Sequence, residues 1–200
     1  MSPDGRRPIA VAITGGIGAG KSEALRAFAR HGAATVSSDE IVHHLLEQPD
    51  VRDAIVSRMG NGIVAPEGNI DRGALATVVF NDRDALDWLE ALLHPLVARE
   101  YLHWRDQLAN LPVSPRVCVT EVPLLFESGG ESRFDKVVVI TAPSKLRRAR
   151  STVAGDGREH RLIDDREKVG RADFAFRNVG SLEELDTFVE SVMHELVSSA

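Results

Sequence analysis

Apolar positions along this chain fall into short continuous runs separated by longer stretches of helical period. Ile9-Ala10-Val11-Ala12-Ile13 opens a first strand over 9–14. Ala33–Val36 forms a short second strand, Arg116–Thr120 a third and Lys136–Thr141 a fourth rich in β-branched residues. Asp173–Phe176 reads as a final edge strand. Between them the pattern predicts helices from Glu23 to about His31-Gly32, Asp39 to Leu46, Val51 to Met59 and Asp71 to Phe80. A longer segment, Asn81 to Asn110, carries apolar residues at Leu86, Leu89, Leu92, Leu93, Leu96 and Val97, with an interruption expected at His94-Pro95. Further helices are predicted over Ser144–Val153 and, from the capping box Ser181-Leu182-Glu183-Glu184, to about Val197. Gly60 to Asn69 and Ala154 to Asp165 read as loops. Apolar strands alternating with helices imply an α/β fold with a parallel five-stranded sheet flanked by helices.

Directly after the first strand stands Gly15-Gly16-Ile17-Gly18-Ala19-Gly20-Lys21-Ser22, a complete G-x-x-x-x-G-K-[ST] phosphate loop. Strand, loop and helix in that order turn a string into a site. The strand delivers the chain, the glycines let the backbone curl, and amides at the helix N-terminus converge on an anion. Gly15, Gly16, Gly18, Ala19, Gly20, Lys21, Ser22 and Glu23 are therefore the expected ATP-binding residues, with Lys21 on the β- and γ-phosphates and Ser22 helping to hold Mg²⁺.

Composition narrows the partners. Two hundred residues suit one domain with an insertion, and 43% hydrophobic with 27% charged residues is ordinary for a globular chain. A net charge of −6 speaks against a broad nucleic-acid or membrane-surface footprint. The stretch 145–171 departs from it, with nine Lys or Arg against five acids. That excess suits either a phosphate-facing surface or a solvated helix face. The single cysteine, Cys118, lies in an apolar run and reads as a core residue. Without an apolar signal core or a run of about 18 apolar residues, the expected location is cytoplasmic.

A phosphate loop alone does not choose among kinases, switches and motors. The D-x-x-G and N-K-x-D strings of GTPase switches do not occur. A compact phosphotransferase fits better, with the helices between Asp39 and Asn110 as an acceptor-binding insertion. Asp39, just past the second strand, is either a base for the acceptor hydroxyl or the cap of the next helix, a role Ser38 also suits. Glu121, at the end of the third strand, is expected with Ser22 at the metal. An arginine of 147–150 is expected to balance charge on the transferring group. Arg150 is the leading candidate, with Arg158 and Arg161 behind it.

These segments together resemble the dephospho-CoA kinase family. Ala12–Ser22 is similar to its phosphate loop, and Ser38-Asp39-Glu40-Ile41 to the segment supplying its base. Ile70–Leu75 with Val79-Phe80, Leu93-His94-Pro95-Leu96, Val122–Glu127 and Asn178–Leu185 match further motifs. The resemblance implies a P-loop kinase that phosphorylates the ribose 3′-hydroxyl of dephospho-CoA with Mg²⁺ and ATP. It implies a core (about 8–38, 111–145 and 166–200), a helical insertion (about 39–110) and a short lid (about 146–165). Asp39, Lys21 and Arg150 would be catalytic, Ser22 and Glu121 would face the metal, and Arg72, His94 and Glu127 the acceptor. Small molecules, ATP and dephospho-CoA, are then the partners. The chain departs from the family in Ser37, where an acid is usual, in Glu23, where threonine is usual, and in a shorter lid. Those departures leave open another hydroxyl acceptor, such as a nucleoside, or a non-catalytic nucleotide- or CoA-binding module.

Overall fold

Five parallel strands form one sheet: β1 (Ile9–Thr14), β2 (Ala34–Ser37), β3 (Val117–Glu121), β4 (Lys136–Thr141) and β5 (Phe174–Arg177). A computed structural model describes residues 7–150 and 163–198 of the chain. The strand order is β2-β3-β1-β4-β5. The chain leaves β1, skips one place to β2, returns through β3 and only then crosses to β4. β1 therefore lies where the order reverses, the place at which open α/β sheets bind ligands beyond their carboxyl ends.

The continuous apolar runs reflect cover on both faces. Val11 and Ile13 of β1, with Val119 of β3 and Val138 and Ile140 of β4, share a cluster with Phe28 of α1 (Lys21–Arg30) and Leu185, Val189 and Val192 of α8 (Leu182–Ser198). The intervening residues Ala12, Val137 and Val139 point the other way, onto Leu125 and Phe126. At the sheet's edge only one face of β5 is covered, so half-buried and exposed residues alternate, and Phe176 stacks on Phe188 of α8, with 4.9 Å between ring centroids. Cys118 is buried in β3, and burial pushes its thiol up to about 11, so it is a packing residue rather than a nucleophile.

Two aspartates fasten the amino end of the sheet by the same device. Asp135, just before β4, accepts from the Ala10 amide at 2.9 Å and donates its own amide to the Ala10 carbonyl at 2.8 Å. Asp173, just before β5, does the same to Val137, at 2.8 and 3.0 Å. Burial pushes the Asp135 carboxyl upward, but hydrogen bonds from Arg7 and the Ala10 amide outweigh it, and the net shift is downward.

The chain divides into two units, 1–37 with 103–200 and, separately, 38–102. The second is helical: α2 (Ser38–Glu47), α3 (Pro49–Met59), α4 (Arg72–Asn81) and the first part of α5 (Arg83–Ala109). Asp71 caps α4 by accepting from the Gly73 and Ala74 amides. The expected loop at 60–69 contains a 3₁₀ turn, Asn61–Ile63, and closes through a bridge between Val64 and Ile70. The expected break at His94-Pro95 is absent: α5 runs through Pro95 without ending. Its buried stripe Ala85, Leu89, Leu93, Val97, Tyr101 keeps a four-residue spacing across the proline. Burial of that stripe outweighs the roughly 3 kcal/mol a proline costs inside a helix. Two further helices complete the described chain, α6 (Ser144–Arg150) and α7 (Asp165–Gly170), the latter not anticipated from the pattern. Most of the expected lid, residues 151–162, lies outside the described residues, as do Arg158 and Arg161. Among the described residues no helix is long and apolar enough to cross a membrane.

Pro95→Ala restores a backbone donor without altering the buried stripe, so it is expected to raise unfolding stability by about 1 kcal/mol or more in a urea titration. A stability loss would mean that the proline's geometry is built into the helix. A carboxyl held low stabilises the fold above its unfolded value and loses that contribution as the pH falls through its folded value. The stability gap between the wild type and Asp135→Ala should therefore be full at neutral pH and close below the ordinary carboxylate range. A gap independent of pH down to acid unfolding would mean that the charge contributes nothing.

Candidate active site

The phosphate loop takes its shape from its last glycine. Gly20 is the N-cap of α1 with φ 104°, a conformation that an L side chain rarely adopts. No side chain caps this helix, whereas α4, α7 and α8 are capped by Asp71, Asp164 and Ser181. With no side-chain cap at its start, α1 offers its N-terminal end to an anion, which the helix dipole favours there. Lys21 is buried and its Nζ donates to the Gly16 carbonyl at 3.1 Å, folded back along the loop.

Beside the loop, three strands end in one row. Ile13 of β1 and Ser37 of β2 are the register partners of Glu121 at the end of β3. Glu121 is buried, and the Ser22 hydroxyl donates to it, at 3.3 Å from Oε2 and 3.5 Å from Oε1. A hydroxyl and a carboxylate are hard oxygen donors, the set Mg²⁺ takes together with phosphate oxygens. The expected pair at the metal is therefore brought together. Ser37, where an acid is usual, is the direct neighbour of Glu121 in this row.

The other flank is built by Asn178, which follows β5. Its amide donates to the Thr141 carbonyl at 2.7 Å, and its side-chain amide donates to the Ala19 carbonyl at 2.8 Å. Arg150 Nη1 donates to the Asn178 carbonyl at 3.2 Å, so this arginine lies at the Asn178 corner. Arg147 lies closer to the loop: a Cβ on Gly16 would overlap its Nη1. Glu23 pairs with Arg26 one turn along α1, which balances a carboxylate that would otherwise repel phosphate.

Glu127 lies in the segment following β3. Its Oε1 is 2.7 Å from Nζ of Lys168 on α7, which is 0% exposed, and also accepts from the Ile163 amide at 3.1 Å. The ammonium and Glu127 Oε2 find no aligned hydrogen-bond partner among the described residues, so charge attraction carries this contact. Lys168 carried no sequence signal beyond its place in a basic stretch, and Asn178 was legible only as the start of a motif.

The helical unit holds the remaining candidates. Asp39 is exposed in the first turn of α2, one residue after the helix begins at Ser38. Arg72, at the start of α4, meets His43 Nε2 through its Nη1. His94 is exposed on α5.

The sequence profile of dephospho-CoA kinases matches residues 9–184. This chain belongs to the dephospho-CoA kinase family. It is 36% identical over 199 residues to the dephospho-CoA kinase of Streptomyces avermitilis, covering 95% of each chain. It is 35% identical over 195 residues to that of Mesorhizobium japonicum, covering 94% of this chain and 96% of the relative. Among solved structures, a Thermus thermophilus protein is similar at TM-score 0.76 and 32% identity, with 96% of this chain and 99% of that one covered. The dephospho-CoA kinase of Campylobacter jejuni is similar at TM-score 0.66 and 28% identity, covering 94% and 96%. The fold is that of a P-loop kinase.

Removing one partner of the Glu127–Lys168 pair leaves a buried charge alone. Glu127→Leu should therefore destabilise the protein by roughly 3 kcal/mol, and adding Lys168→Met should recover most of that loss. Urea titrations of the two single variants and the double variant measure it; a loss in the double variant equal to the sum of the two single losses would mean that the pair is not coupled.

Proposed function

We propose that this family member transfers the γ-phosphate of ATP to the ribose 3′-hydroxyl of dephospho-CoA, giving coenzyme A and ADP. The observation that carries the reading is the uncapped phosphate loop, with Lys21 and the Ser22–Glu121 pair beside it, in a chain matched over residues 9–184 by this family.

Loop amides and the α1 dipole bind the triphosphate, and Lys21 turns from the Gly16 carbonyl to the β- and γ-phosphate oxygens. Ser22 and Glu121 would hold the accompanying Mg²⁺, which supplies charge neutralisation on those oxygens. Asp39 accepts the proton of the 3′-hydroxyl as its oxygen forms a bond to the γ-phosphorus and the bond to the ADP oxygen breaks. Asp39 follows two residues after Ser37, the register neighbour of Glu121, at the carboxyl end of β2. Arg150 balances charge on the transferring group, and Arg72 and His94 bind the acceptor. Glu127, engaged by Lys168, acts on the acceptor through the segment it fixes. We place the reaction in the cytoplasm, and a single buried thiol suits that reducing compartment.

ADP release with Mg-ATP, measured with and without dephospho-CoA, tests the reading. Release should require dephospho-CoA and fall on the order of 10²-fold or more in Lys21→Ala. Asp39→Asn should lower kcat by roughly 10²-fold or more with little change in ATP affinity. ATP binding without dephospho-CoA-dependent release would point to a different acceptor, and unchanged turnover in Asp39→Asn would remove it as the base.

A further inference from the structure

We infer that Arg147 contacts the bound triphosphate and that Asp165 is the counter-anion which the triphosphate displaces from it; the inference rests on the nucleotide reading above. Three features of α6 and α7 lead here. First, α6 is packed onto the loop itself: a Cβ on Gly18 would stand 2.5 Å from the Arg147 carbonyl oxygen, and one on Gly16 would overlap the Arg147 guanidinium. Main chain and side chain of one residue therefore meet two loop glycines. Second, Lys21 Nζ donates to the carbonyl of that same Gly16. Two cations thus converge on a single residue of the loop, an arrangement that suits a polyanion there. Third, the carboxylate facing Arg147 among the described residues is Asp165, with Oδ2 at 3.6 Å from Nη1.

That distance is an ion pair without a hydrogen bond, and its side chains are 26% and 32% exposed. Such a pair is weak, because water screens it. Asp165 is also poorly placed to follow Arg147. It opens α7, whose first turn is capped by Asp164 and whose Lys168 is buried against Glu127. Arg147, on a flexible stem, can swing while Asp165 stays. A triphosphate arriving at Gly16 offers more charge and bidentate oxygen geometry, and takes the guanidinium over. Asp165 then acts as a placeholder: it neutralises Arg147 in the empty site and weakens nucleotide affinity by the strength of the pair it forms.

Calorimetric titration of the full chain with Mg-ATP tests this in the wild type, Asp165→Asn, Arg147→Ala and the double variant, with Arg147→Gln as a bulk-preserving control. Asp165→Asn should bind about two- to five-fold more tightly, which corresponds to about 0.4–1 kcal/mol. Arg147→Ala and Arg147→Gln should both bind more weakly, and the double variant should match Arg147→Ala. A purely structural pair would instead lower the Tm of Asp165→Asn with no gain in affinity. The inference is overturned if Asp165→Asn binds equally or more weakly, or if it still tightens binding when Arg147 is absent. No binding by the folded wild type would overturn the nucleotide reading itself.

Discussion

The N-terminus of α1 is the constraint on which the rest of the site depends. A helix start carries unpaired amides, and α4, α7 and α8 settle them with the side chains of Asp71, Asp164 and Ser181. At Gly20 there is no side chain to do so, and the left-handed backbone that turns the loop into the helix is one that glycine tolerates. The fold therefore leaves an anion-accepting end at the place where β1 stops. Surrounding groups follow from it. Lys21 is tied back to Gly16, Asn178 braces the Ala19 carbonyl, and Ser22 faces Glu121.

Stability and chemistry divide between the two ends of the sheet. At the amino end, Asp135 and Asp173 each close a two-bond clasp on the neighbouring strand, with Arg7 and Lys136 supplying the opposite charges. Those carboxylates are used up in fastening strands. At the carboxyl end, the Ser22 hydroxyl donates to Glu121 over a long 3.3 Å, and no side chain caps α1 at Gly20. A sheet so pinned at one end can leave polar groups under-satisfied at the other, where a ligand completes them.

What could be read from sequence alone follows the range of each physical signal. β1, the loop and α1 were legible because strand, glycines, lysine and helix are contiguous, and the local chemistry is all there is to the site's shape. Strand boundaries differed by one residue at β2, β3 and β5, within the fraying of any element end. Pro95 misled because proline's effect is local whereas the apolar stripe that overrides it runs from Ala85 to Tyr101, over more than four turns of α5. α7 was hidden for the opposite reason. It is six residues long with one buried side chain, and that side chain is a lysine, which sequence patterns assign to the surface. Only a partner 41 positions earlier, Glu127, makes its burial tolerable. Asn178 likewise owes its place to Ala19, 159 residues away in sequence.

The two departures from the family pattern look opposed but act on different sites. Glu23 adds a carboxylate near the loop, yet the helix period places Arg26 one turn on, and the two pair on the surface of α1. Its charge is answered locally, and the anion-binding end of the helix keeps its sign. Ser37 places a hydroxyl beside Glu121, where the family resemblance leads one to expect a carboxylate. If buried Glu121 and the Ser22 hydroxyl hold the cation, as proposed above, its coordination would draw more heavily on the phosphate oxygens that arrive with the nucleotide. On that reading, binding of the cation and of the triphosphate would be more tightly linked than a second carboxylate would make them, since a weaker protein share of the coordination leaves the pair to enter as one species.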